Sequence, residues 1–170
     1  LVYIATPNQF HYEHILMALN HRKHVFVEKP MTLNLEEAEV IISLANRNNL
    51  RLGVNVKHSF EPRIQLIRRM VVNGELGSLL MLNYWQYTDW LYRARTPEEL
   101  DADLGGGVTW RQGPHQFDII RTIGGGLVRS VRAMSGIWDE TRPVPSCHLA
   151  FLEFENGVAA TAVYDGFDHF

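Results

Sequence analysis

A chain of 170 residues that is 46% hydrophobic and 21% charged can bury a core, which excludes an intrinsically disordered segment. Sixteen basic against nineteen acidic residues give a net charge of -3, so the overall field is not that of a nucleic-acid binder, and small-molecule chemistry is the default. The single cysteine, Cys147, excludes an internal disulfide framework and a thiolate metal cluster and points to a reducing, cytoplasmic setting; no apolar run approaches the roughly 18 residues of a membrane span.

Strand and helix signals alternate over the first third. Leu1 to Ala5 has the apolar, β-branched run of a strand buried on both faces; about 10–21 reads as a helix, His24 to Glu28 as a strand, 35–48 as a helix and Leu52 to Val56 as a strand. Asn34 followed by Glu37 has the form of a capping box, with Ala38, Ile41, Ile42 and Ala45 on one helical face. This βαβαβ order predicts a parallel sheet.

The pattern changes near residue 57. A helix from Pro62 to about Asn73 ends at Asn73-Gly74, and Leu79 to Tyr87 reads as a long strand. Thr96-Pro97-Glu98-Glu99 starts a short helix, and the helix of the Gly105-Gly106-Gly107 segment follows. Strands at about 127–138, 146–154 and 158–165, joined by turns at 139–145 and 155–157, are expected to be antiparallel. The expectation is a partial α/β domain over 1–56 and an α+β domain with a largely antiparallel open sheet over 57–170. Without an initiator Met and with no closing element after the last strand pattern, the chain reads as a fragment.

Several groups could carry chemistry. Thr6-Pro7-Asn8 and Glu28-Lys29-Pro30 follow the first two strands, and ligands of open parallel sheets bind at such carboxyl ends. Each tripeptide equally suits a turn, and Lys29 a solvated lysine. Three glycines let a backbone approach a ligand closely, and the segment after them delivers Arg111, His115 and Asp118. Histidine as a residue type titrates near working pH, so His115 suits a general acid/base, although a histidine satisfied by a carbonyl is the plainer account. Asp118 either orients His115 or pairs locally. Arg111 and His115 share a face if one helix runs through both, but Pro114 can restart it. Arg93, Arg95 and Arg111 form a set for substrate carboxylates, with solvated loop charges as the alternative for the first two. His11 with His14 and His21 with His24 have helical metal spacing but no convincing partners; they read as surface helix histidines, His24 opening a strand, and no metal site is assigned.

These blocks, taken in order, resemble the Gfo/Idh/MocA oxidoreductase family: Leu1-Val2-Tyr3-Ile4-Ala5-Thr6-Pro7-Asn8 with His11, His24-Val25-Phe26-Val27-Glu28-Lys29-Pro30, Gly74-Glu75-Leu76-Gly77, and Gly105-Gly106-Gly107 with His115 and Asp118. Trp90-Leu91-Tyr92-Arg93, Pro97-Glu98-Glu99-Leu100 and Arg111-Gln112-Gly113-Pro114-His115-Gln116 resemble the branch typified by 4,5-dihydroxyphthalate dehydrogenase. The resemblance implies the C-terminal half of a Rossmann domain ahead of an α/β domain whose open sheet mediates homo-oligomerisation. It also implies hydride transfer with NAD or NADP. Lys29 and His115 would be catalytic, Thr6, Pro7, Asn8, Glu28, Lys29 and Pro30 would line the cofactor, and Arg93, Arg95, Arg111 and His115 the substrate. Two departures stand out. The Gly-x-Gly-x-x-Gly fingerprint and the acidic residue beyond it are absent, and Arg111 stands where many members carry an Asp four residues before the histidine.

The expected function is thus hydride transfer on a small, carboxylated cyclic diol. A sugar or inositol dehydrogenase of the same family is the alternative, for which three arginines are superfluous. A non-catalytic binding or assembly homologue is the third reading, against which the presence of both Lys29 and His115 counts.

Overall fold

The structure, a computed structural model, describes residues 1–168; the end of the chain at His169 and Phe170 lies outside the described residues. The chain divides into two compact units. One comprises residues 1–56 with residues 103–105, the other residues 57–102 and the stretch from Gly106 onward.

In the first unit, strands β1 (Val2–Ile4), β2 (Val25–Glu28) and β3 (Leu52–Asn55) form a parallel sheet in that order, with helices α1 (His11–Asn20) and α2 (Leu35–Arg47) as crossovers. The apolar periods merge into one core, in which Ile15, Leu19, Val27 and Ile41 are fully buried. Asn34 starts α2 by accepting a hydrogen bond from Glu37 N at 2.8 Å on its Oδ1. Glu36 and Glu37 in the first turn and Arg47 in the last complement the helix dipole.

The second unit is a four-stranded sheet in the order β4 (Met81–Tyr87), β7 (Ala159–Asp165), β6 (Cys147–Phe154), β5 (Val128–Gly136). The last three strands are antiparallel as their turns predict, Gly157 adopting φ +86° in the β6–β7 turn. The edge pair β4–β7 is parallel, so the sheet is mixed. A parallel pair requires a long crossover, and the helical region between β4 and β5 supplies part of one. Helices α3 (Pro62–Val72) and α5 (Gly113–Gly124) pack together, and α5 lies on β4 and β7. Ile120, Leu152, Phe154, Ala160 and Ala162 form the core beneath α5. A second cluster gathers Trp90, Leu91, Val108, Val144 and Tyr164.

The glycine segment is followed by two helices, not one: α4 (Val108–Arg111) ends before Gln112, and α5 restarts at Gly113-Pro114. Proline occupies the first turn, where its missing N–H costs nothing. Arg111 and His115 therefore stand on separate helices, and their shared-face spacing does not apply.

Candidate active site

In the first unit, Thr6-Pro7-Asn8 and Glu28-Lys29-Pro30 lie at the carboxyl ends of β1 and β2, the edge at which ligands of open parallel sheets bind. His11 joins the two loops. Its ring is fully buried, with Nδ1 2.7 Å from Pro30 O and Nε2 2.8 Å from Thr6 O. The reading of His11 as a surface histidine is corrected: it is a buried clasp, and a neutral imidazole can donate to one of these carbonyls, the imidazolium to both. His14 is half-buried and His21 exposed, bonded to Thr6 Oγ1 and Met17 O. Among the described residues no group of three or more histidine, cysteine or acidic side chains is placed to hold a metal. Asn8 is buried and its amide points to Gly105 O at 3.5 Å. Glu28 accepts from the Tyr3 hydroxyl and, at 2.7 Å, from Asn55 Nδ2. Lys29 is half-buried.

In the second unit, His115 sits in the first turn of α5 on the wall of a polar cavity of about 270 Å³, which His58, Arg63, Tyr84, Gln86 and Gln112 also line. The His58 and His115 rings meet edge to face, centroids 4.3 Å apart and planes at 81°. His58 belongs to a short 3-10 turn, Lys57–Phe60, that directly follows β3. Its Nδ1 donates to Glu61, whose other oxygen is 2.6 Å from Arg63 Nη2. The bond from His58, helped by the Arg63 charge, holds the Glu61 carboxyl below the usual range. Tyr84 is half-buried, and burial pushes its hydroxyl up. Asp118 accepts from Ser59 Oγ and from Arg121 Nη2 at 3.4 Å, so it ties α5 to the His58 turn.

The three arginines have protein partners. Arg93 is exposed and pairs with Asp89 at 2.5 Å. Arg95 donates from Nε and Nη2 to Trp90 O at 3.0 and 2.8 Å, and its guanidinium lies 4.1 Å from the Trp90 ring centroid. Glu99 takes Arg95 Nη1 at 3.4 Å and Arg111 Nη1 at 3.9 Å. Two glycines of the triplet serve packing within the unit. A Cβ on Gly106 would stand 2.6 Å from Asp101 O and Glu99 O, and one on Gly107 2.6 Å from Pro145 O. The backbone approach they allow is to other backbone.

Sequence reading missed His58, Glu61 and Arg63. A lone histidine more than fifty residues before His115 carries no spacing signal; the Ser59–Asp118 bond and ring packing bring the two together.

Two family models match the chain: an oxidoreductase family with an NAD-binding Rossmann fold over residues 1–56, and the GFO/IDH/MocA C-terminal domain over residues 64–167. The chain belongs to the GFO/IDH/MocA oxidoreductase family. It is 42% identical over 170 residues to 1-carboxy-3-chloro-3,4-dihydroxycyclohexa-1,5-diene dehydrogenase of Comamonas testosteroni, covering all of this chain and 43% of that protein. It is 32% identical over 179 residues to D-glucoside 3-dehydrogenase of Escherichia coli K12, covering 92% of this chain and 49% of that protein. A crystal structure from Bordetella bronchiseptica RB50 superposes with a TM-score of 0.92 at 45% identity, over 99% of this chain and 44% of that one. The chain thus spans less than half the length of these relatives.

The donors at the carboxyl edge of the first unit's sheet, the Thr6 hydroxyl and the Lys29 amine on loops clasped by His11, are of a kind that suits an NAD cofactor. The pyrophosphate fingerprint is not in this sequence.

Proposed function

We propose that the full-length protein is an NAD(P)-dependent dehydrogenase that oxidises a small, carboxylated cyclic diol. The observation that carries this reading is His115 on the wall of a polar cavity, beside a second imidazole and a guanidinium. An imidazole facing polar space is the kind of base that removal of a hydroxyl proton needs.

When bound, the nicotinamide supplies the hydride acceptor. His115 takes the hydroxyl proton as the carbon gives up its hydride, leaving a carbonyl. Lys29 polarises the reacting oxygen or fixes the cofactor beside Thr6, Pro7, Asn8, Glu28 and Pro30. A carboxylated substrate is supported by the 42% identity to a dehydrogenase named for a carboxylated cyclohexadiene diol. Of the three arginines proposed to receive the carboxylate, Arg93 and Arg95 close their forks on Asp89 and Trp90 O, and Arg111 stands 3.9 Å from Glu99. Incubating the full-length protein with NAD or NADP and 1-carboxy-3-chloro-3,4-dihydroxycyclohexa-1,5-diene, glucose or scyllo-inositol tests this. Faster turnover of the carboxylated diol supports it, and preference for a neutral polyol replaces it with the polyol reading that the D-glucoside relative favours.

We also propose that a second copy of the chain covers the open face of the sheet. In register across β4, β6 and β5, Met81, Trp85, Phe151, Leu149 and Met134 point away from the helices and are about half exposed or more. A contiguous apolar face of this kind marks an association surface. The single free thiol supports a reducing compartment, and among the described residues no helix is long and apolar enough to cross a membrane.

A further inference from the structure

We propose that His58, with Glu61 behind it, is a positioning residue for His115: it fixes the His115 imidazole on the cavity wall through their edge-to-face contact and sets the electrostatic environment in which that ring takes up a proton. The inference rests on His115 being the acid/base of the proposed reaction.

Three observations converge. First, the contact is close and oriented, with centroids 4.3 Å apart and planes at 81°; edge-to-face geometry sets a ring's positive edge against its neighbour's negative face. Second, the turn that carries His58 is pinned on two sides. Ser59, 4% exposed, donates from Oγ to Asp118 on α5, one helical turn beyond His115, and Ser59 O accepts from Gln65 Nε2 of α3 at 2.6 Å. His58 therefore cannot drift from His115 without breaking the Ser59 anchors. Third, Glu61 fixes the ring of His58 by accepting from Nδ1, and Arg63 holds Glu61. In a neutral His58 this leaves Nε2 as the lone-pair nitrogen.

Among the described residues, charged and titratable groups around the pair include Glu61 and Arg63 at the start of α3, Tyr84 on β4, Asp118 on α5, and Lys57 in the turn itself. Asp118 is engaged by Ser59 and Arg121, and Arg63 by Glu61. The two imidazoles couple directly across their contact: a proton on His58 opposes one on His115, whereas the Glu61 anion favours it. Removing His58 while leaving Glu61 should therefore make His115 easier to protonate. Neutralising Glu61 should make it harder. Opposite signs from two neighbouring substitutions are not the signature of a residue that only supports folding.

The test compares wild type, His58→Phe, His58→Ala, Glu61→Gln and His115→Ala in the full-length protein. Turnover is followed with NAD and 1-carboxy-3-chloro-3,4-dihydroxycyclohexa-1,5-diene, and the His115 ring is titrated directly by NMR. His58→Phe keeps the ring contact without the proton site, so kcat should stay within about threefold of wild type while the His115 titration moves to higher pH. His58→Ala loses the contact as well, and kcat should fall about tenfold with little change in KM. Glu61→Gln should move the titration to lower pH. If His115→Ala abolishes turnover but the His58 and Glu61 variants keep wild-type kcat and an unmoved His115 titration, the positioning role is wrong and the acid/base assignment stands. Full turnover in His115→Ala overturns both. If His58→Ala does not fold, the opposed titration shifts of His58→Phe and Glu61→Gln still decide.

Discussion

Gln116 and His148 are joined by a 2.7 Å hydrogen bond from imidazole Nε2 to amide Oε1, with both side chains almost fully buried. The Gln116 amide group then donates to Tyr84 O at 3.2 Å and Val163 O at 2.9 Å, which clamps α5 to β4 and β7 in the residue after His115. Since Oε1 can only accept, His148 carries its proton on Nε2.

Burial pulls the His148 imidazole down to about 4. An unfolded histidine titrates near 6.5, so between these values the unfolded chain binds a proton that the folded one refuses. Stability is therefore full above that window and falls as pH drops through it, by up to about 3 kcal/mol. Urea unfolding at pH 7, 5.5 and 4.5 should show this loss in wild type and a flatter profile in His148→Gln. Parallel profiles would remove His148 as the cause.

Gly106 and Gly107 should tolerate no side chain. Gly107 combines φ +85° with a would-be Cβ 2.6 Å from Pro145 O, so Gly107→Ala should cost about 2–4 kcal/mol, left-handed strain plus a clash with backbone. Gly74 has φ +73° in open space, and Gly74→Ala should cost only about 1–2 kcal/mol. Equal losses in chemical denaturation would show that the close approach at Gly107 is relaxed away.

The open sheet face predicts association. Trp85→Lys with Phe151→Glu should shift the protein toward a smaller species in sedimentation velocity while leaving the circular dichroism unchanged. A wild type that sediments as a monomer at all concentrations would rule out the second-copy reading.

Much of the fold was legible because burial writes itself into period. The strand character of β1 and β2 and the Ile41–Ala45 seam of α2 are local, as are the turn glycines at Gly74 and Gly157, but β1 is not buried on both faces as its apolar run predicts, since Tyr3 and Phe26 face outward, and Ile42 lies off the buried face of α2. What stayed hidden depends on pairing across long separations. The parallel partnership of Met81–Tyr87 with Ala159–Asp165 has no marker in either strand. Local chemistry hid the rest. His11 looks like any helix histidine until Thr6 O and Pro30 O are seen to converge on it. Arg95 looks like a free loop cation until its fork is found on Trp90 O. The Gln112–Pro114 break was foreseen only as one of two outcomes, since proline suits a first turn as well as a kink.

Arg111→Gln should discriminate by substrate charge. Losing one charge-assisted contact weakens binding by about 1.5–3 kcal/mol, so KM for the carboxylated diol should rise tenfold or more while KM for scyllo-inositol barely moves. An equal effect on both would make Arg111 a structural partner of Glu99 alone.

The most direct measurement is NADH formation from the carboxylated diol by the full-length protein as wild type, His115→Ala and Lys29→Ala, each confirmed folded. The predicted result is measurable turnover in wild type and a loss of roughly a hundredfold or more in each variant, the scale of a removed acid/base or electrostatic stabiliser. Turnover in His115→Ala within a few-fold of wild type would contradict the assignment of the site.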